Sequence, residues 1–147
     1  MGDPSAEDAV SAAEGRAFYK MCGSGNDFVF FDGRHPIAGE LRTAAAIRSL
    51  CERRTGVGAD GVVYLDPPDA GTDQTFRMRY YNSDGSLASF CGNAALCATR
   101  LAVELGIAPV GDFRFGSDAG TIAARLRGDL PEIELSPVQR LAVDASA

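Results

Sequence analysis

The sequence predicts an α+β fold in which a sheet curls around a helix. Three observations carry this: short strand-like runs recur along the chain, one of its two helical segments is apolar nearly all round, and Gly-containing turns join the rest. Taken in order, Ala17–Met21 and Asp27–Asp32 read as short strands. Between them lies the loop Cys22-Gly23-Ser24-Gly25-Asn26, whose glycines permit unusual backbone angles. Thr43–Arg54 has helical periodicity, with Ala46, Ile47, Leu50 and Cys51 on one face, and Gly56 and Gly58 end it. Val62–Leu65 is a strand closed by Asp66-Pro67-Pro68.

Phe76–Tyr81 alternates apolar and basic residues, a strand with one wet face, and Asn82-Ser83-Asp84-Gly85 is a turn. Cys91–Leu105 reads as the apolar helix, with only Arg100 and Glu104 charged after its first turn, and Gly106 supplies its C-terminal cap. Phe113–Phe115, Thr121–Leu126 and Glu132–Leu135 complete the strands. No repeat of period 20 to 50 and no low-complexity tract is present.

Bulk properties narrow the function. The 147 residues fit one domain or one large structural half, and an apolar content of 46% is enough for a core. No run reaches the roughly 18 apolar residues of a membrane span. The acidic, Ala- and Ser-rich residues 1–16 lack the basic and apolar regions of a signal peptide and read as a disordered leader. A net charge of -6 argues against nucleic acid as a partner. Lys20 is the only lysine, which leaves a Schiff base one candidate in a strand-like run. His35, the only histidine, precedes Pro36 in a turn, so a His-centred triad has little to draw on. Of Cys22, Cys51, Cys91 and Cys97 none forms a C-x-x-C pair, which argues against zinc. The expected compartment is a reducing cytoplasm, where such thiols are buried hydrophobes or reactive groups.

Cys91 carries the most chemical information. It opens the buried helix and is followed by Gly92 and Asn93. A thiol there faces unpaired N–H groups and the positive end of the helix dipole, which stabilise a thiolate. The same amides suit a substrate carboxylate, and Gly92 lets a ligand approach the backbone. An ordinary half-buried cysteine fits the position equally on these grounds. Cys97, nearly two turns on, and Cys51 read as core, whereas Cys22 sits beside Asn26 in the glycine loop. That loop lacks both the last glycine of a dinucleotide fingerprint and the lysine of a P-loop. Asn26 and Asn82 are each either turn residues or presenters of an amide to a carboxylate or ammonium, and Asp84 either orders a turn or accepts bonds from the helix end.

Four segments in order, FYKMCGSGNDFVFFD, TGVGADGVV, YYNSDGS and CGNAALC, resemble the N-terminal half of diaminopimelate epimerase. The resemblance implies a mixed, mostly antiparallel sheet curled into a barrel around a central buried helix. It assigns residues 17–147 to the family's N-terminal domain, with the second domain absent from this chain. It implies an isomerase that needs no pyridoxal, metal or other cofactor, acts on a small amino-acid substrate and works as a homodimer. In such enzymes one cysteine, as thiolate, removes the α-proton while a second, as thiol, protonates the opposite face. Cys91 falls on the first catalytic cysteine, and Asn26, Asn82, Gly92 and Asn93 fall on substrate-binding positions. A thiol suits both roles because its reference pKa of about 8.5 is readily shifted toward working pH.

The family's usual Met-His-Gly is Met21-Cys22-Gly23 here, and its usual Leu is Ser24. Cys-Gly-Asn-Gly-Ala-Arg-Cys becomes Cys91-Gly92-Asn93-Ala94-Ala95-Leu96-Cys97. Gly61 stands where some members carry Gln, so that contact is not carried over. Cys97 cannot serve as the second base, because it shares the helix of Cys91 and cannot reach the opposite face of a substrate. Other readings are a half-length homodimer pairing two Cys91 thiols, a non-catalytic binding module, and a proline racemase-like or phenazine-biosynthesis-like isomerase.

Overall fold

A computed structural model describes residues 18–34, 39–88 and 90–134; the leader segment, His35 and Leu135 lie outside them. The chain runs β1 (Phe18–Gly23), β2 (Asn26–Asp32), a 3-10 turn (Gly39–Arg42), α1 (Ala44–Cys51), β3 (Gly61–Asp66) and β4 (Arg77–Asn82). It continues with β5 (Leu87–Ala88), α2 (Gly92–Glu104), β6 (Phe113–Ser117), β7 (Gly120–Arg127) and β8 (Leu130–Glu134). All eight strands form one sheet, ordered β1-β2-β3-β4-β6-β7-β8, with β5 also on β4. β2–β3 and β4–β6 are parallel and the other pairs antiparallel. Each parallel pair is bridged by a helix, as the chain length between parallel strands requires. The sheet is a curled half-barrel whose two ends are β1 and β8. Helix α2 packs against β1, β2, β3, β4, β7 and β8.

Period-two alternation sorts the side chains into two cores. Phe28, Phe30, Val63, Leu65, Met78 and Tyr80 face inward with Ala94, Ala95, Ala98 and Leu101 of α2. Val29, Phe31, Val62 and Tyr64 face outward and are covered by Ile47 and Cys51 of α1. β2 and β3 are thus buried on both faces, which is why FVFF and GVVYL read as continuous apolar runs. β4 keeps one polar face: Arg77 pairs with Asp69 at 2.8 Å and Asp118 at 2.6 Å.

Strand ends shift by a residue or two from expectation, and two boundaries differ in kind. The β1–β2 connection is a two-residue turn, with Gly23 opposite Asn26 and positive φ at both Ser24 (53°) and Gly25 (91°). That geometry matches the twist of the flanking strands, so Cys22, Gly23 and Asn26 belong to strands, not to a loop. Helix α1 stops at Cys51 instead of continuing to Arg54. The glycine segment folds back and supplies its end: Gly58 N–H donates to the Leu50 carbonyl at 2.9 Å and Ala59 N–H to that of Cys51 at 3.1 Å. Helix α2 ends as predicted. Gly106, at φ 75°, donates to the Val103 carbonyl and Ile107 to that of Ala102, a Schellman closure. Among the described residues no helix is long and apolar enough to cross a membrane.

Candidate active site

The turn between β1 and β2, the start of β3, the end of β4 and the first turn of α2 meet at one end of the sheet. Register places them there: Phe28 stands beside Gly61, and Gly61 beside Asn82. Gly23 brings the hairpin down on α2, since a Cβ there would stand 2.9 Å from Cys97 Sγ and 3.5 Å from the Asn93 carbonyl.

Cys91 is the N-cap of α2, in extended conformation (φ -144°, ψ 116°), half-buried and free of any disulfide. Its side chain makes no capping bond, while its carbonyl accepts from Ala95 N–H at 2.9 Å. The thiol is therefore not engaged in closing the helix end, and the first-turn amides remain without intrahelical partners. Gly92 faces open space: a Cβ on it would touch nothing within 4 Å. Burial pushes the Cys97 thiol up, and Cys22 and Cys91 raise it further. Cys51, the last residue of α1, packs on the outer face of the sheet, away from this helix end.

Asn93 Nδ2 donates to Asn26 Oδ1 at 2.7 Å, and Asn26 Nδ2 donates to Asp60 Oδ2 at 3.2 Å. Asp60 Oδ2 also accepts from Asp27 N–H at 3.0 Å, while Asp60 N–H donates to the Asp27 carbonyl at 2.8 Å. Behind them Arg53 grips both oxygens of Asp27 at 2.9 Å and reaches Asp60 at 3.1 Å, and Lys20 adds an ion pair to Asp27 at 3.1 Å. The Arg53 guanidinium, with Lys20 in support, holds the Asp27 carboxyl well below the usual carboxylate range against the opposing effect of burial. The only lysine is thus in a salt bridge. Asn82 sits at the same sheet end, with its amide donating to Ser86 Oγ at 3.0 Å. Asp84 orders that turn, accepting from Ser86 N–H and Oγ.

The diaminopimelate epimerase family model matches residues 18–140. The chain belongs to the diaminopimelate epimerase family. The epimerase of Gemmatimonas aurantiaca is 44% identical over 87% of the chain and 45% of its own length. The chain spans less than half the length of the curated epimerases it matches. Its fold is shared with a phenazine-biosynthesis family protein of Enterococcus faecalis (TM-score 0.59, 13% identity, 86% of this chain and 50% of that one). It is also shared with a hydroxyproline epimerase of Agrobacterium vitis (TM-score 0.57, 17% identity, 78% and 39%).

Of the epimerase-family positions, Cys91, Gly92 and Asn93 adjoin in sequence, Asn26 is tied to Asn93 directly, and Asn82 shares the sheet end without a bond to them. The fold brings two residues that the sequence did not single out, Asp60 and Tyr80, to this end of the sheet. A Cβ on Gly61 would collide with Tyr80 Cε1, so the tyrosine ring fills the space that a side chain at position 61 would need. The signal for Tyr80 was strand alternation: it lies two residues before Asn82, on the same face. A separate cleft of about 770 Å³, lined by Arg114, Arg125, Glu132, Ile133 and Glu134 among others, contains none of these residues.

Proposed function

We propose that this chain is the N-terminal half of a cofactor-independent diaminopimelate epimerase that interconverts the LL and meso isomers, serving lysine and peptidoglycan-precursor synthesis in the cytoplasm. Cys91, as thiolate, takes the proton from the substrate α-carbon. A second thiol outside this chain gives a proton to the opposite face, so one proton leaves and one arrives. The α-carboxylate rests on the first-turn amides of α2, which favour the charge that develops as the carbanion forms. Asn26, Asn82 and Asn93 contact the substrate, and α2 is the central helix of the completed barrel.

The single observation that carries this reading is a free thiol at a helix N-terminus, flanked by open backbone at Gly92 and by the linked amides of Asn93 and Asn26. The 147-residue chain is expected to lack turnover on its own. Alkylation of Cys91, followed by peptide mapping, is expected to slow when diaminopimelate is present. Equal rates with and without it would sink the assignment. In a protein that joins this chain to a second family half, Cys91→Ser is expected to abolish α-deuterium incorporation from heavy water, read by NMR. Epimerisation by the chain alone, at a solution mass of two copies, would replace this reading with a homodimer that pairs two Cys91 thiols.

A further inference from the structure

Tyr80 stands out among the polar side chains of the inner face. It is only 9% exposed and packs in the core cluster against which Cys91 also rests. Its ring meets Phe28 edge-on at 5.8 Å between centroids. The ring also occupies the room left by Gly61, where a Cβ would stand 3.0 Å from the Tyr80 hydroxyl. Phe28, Gly61 and Asn82 are register partners, so the hydroxyl is delivered to the sheet end where Asn82 and Cys91 lie.

A buried tyrosine hydroxyl ordinarily finds a partner in the protein. Tyr64, the other enclosed tyrosine, does so by donating to the Leu41 carbonyl at 2.7 Å. Tyr80 Oη makes no hydrogen bond to any described residue. Nor is it sealed off: among the described residues the one fully enclosed side-chain nitrogen or oxygen without a partner is Arg77 Nε. Among the described residues, the hydroxyl thus keeps its hydrogen-bonding capacity unspent without being fully enclosed. Burial raises the Tyr80 phenol, and negative charge nearby raises it further, so the hydroxyl keeps its proton at neutral pH and can donate it to a hydrogen bond.

We propose that the Tyr80 hydroxyl is a substrate-binding group of the Cys91 site, donating a hydrogen bond to the α-carboxylate that the α2 amides also hold. The inference rests on the epimerase reading above and adds to it Tyr80, the first residue of the YYNSDGS segment, to which the resemblance assigns no role. Gly61 is its enabling partner, because only a residue without Cβ leaves the ring this position.

The test measures, on the 147-residue chain, the diaminopimelate concentration that half-protects Cys91 from alkylation. This quantity does not depend on the intrinsic reactivity of the thiol. Tyr80→Phe keeps the ring and its contact with Phe28, so the thermal midpoint is expected to hold. The half-protecting concentration is expected to rise roughly tenfold, the worth of one hydrogen bond to a charged group. Tyr80→Leu removes ring and hydroxyl together and separates packing from binding through its thermal midpoint. Protection of Tyr80→Phe at the wild-type concentration would overturn the proposal while leaving the epimerase reading intact. Absence of protection in the wild type would overturn that reading and this inference with it.

Discussion

Asn26 is bonded at both ends of its amide, receiving from Asn93 and donating to Asp60, and this fixes which way the amide faces. On the function proposed above, Asp60 acts on the site through its bond to Asn26, as a positioning residue. Asp60→Ala is expected to raise the half-protecting concentration of diaminopimelate several-fold, while Cys91 keeps its alkylation rate without ligand. A matching fall in that rate would point to general loosening instead. Asp27, one bond further back, governs pH dependence. Arg53 and Lys20 depress its folded-state value below that of the unfolded chain. Its contribution to stability is therefore complete above the unfolded carboxylate value of about 3.9 and is lost as pH falls toward the folded one. Asp27→Asn is expected to unfold at lower denaturant than wild type at pH 7, with the gap closing as the pH is brought below 4. A gap that stayed constant with pH would contradict this. At this scale the grouping of Cys91, Gly92 and Asn93 is plain in the sequence because they adjoin in one motif. The placement of Asp60 and Tyr80 beside them is not, because it depends on a contact 34 residues away and on an absent Cβ at Gly61.

At the scale of elements, the two cores are separated by the sheet itself. Helix α1 is eight residues long, with Thr43 capping it through Ala46 N–H at 3.1 Å, and only Ile47 and Cys51 are buried. Too short to persist alone, it is held by that small apolar face. Ile47→Ala is expected to cost about 2–5 kcal/mol in a urea titration, with the half-protecting concentration at Cys91 unchanged because Ile47 touches the outer core. A site that weakened in step with stability would show the two faces to be coupled. Helix α1 was readable from apolar periodicity, α2 from a long run that is apolar nearly all round, and the long strands from their runs of Val, Phe and Tyr. The two-residue strand β5 carries too few side chains for any period to register. The 3-10 turn at Gly39–Arg42 likewise has no periodic signature. The end of α1 was misjudged because its periodicity continues past the point where Gly58 and Ala59 take over its carbonyls.

At the scale of the whole molecule, the sheet has one thin seam. β4 and β6 pair in parallel through the single match Arg77↔Gly116, extended by Gly116 N–H to the Phe76 carbonyl (2.9 Å) and Thr75 N–H to that of Arg114 (2.8 Å). Side chains reinforce it: Phe76 stacks on Phe115 at 4.7 Å, and Arg77 bridges Asp69 and Asp118 with its Nε enclosed and unpartnered. Everything from β1 to β5 lies on one side and β6 to β8 on the other, while α2 packs on both. Such a division has a consequence for how the protein breathes. In native-state hydrogen exchange the amides of β6–β8 are expected to open together, as a cooperative unit of lower free energy than β2 and β3, which are enclosed on both faces. Amides of the middle of α2 are expected to exchange only with the more stable unit, since letting go of one side still leaves the helix seated on the other. One common opening energy throughout the sheet would show the seam to be as strong as the ladders beside it. If the units separate, the first turn of α2, and Cys91 with it, stays in place through the fluctuations that loosen the far side of the sheet.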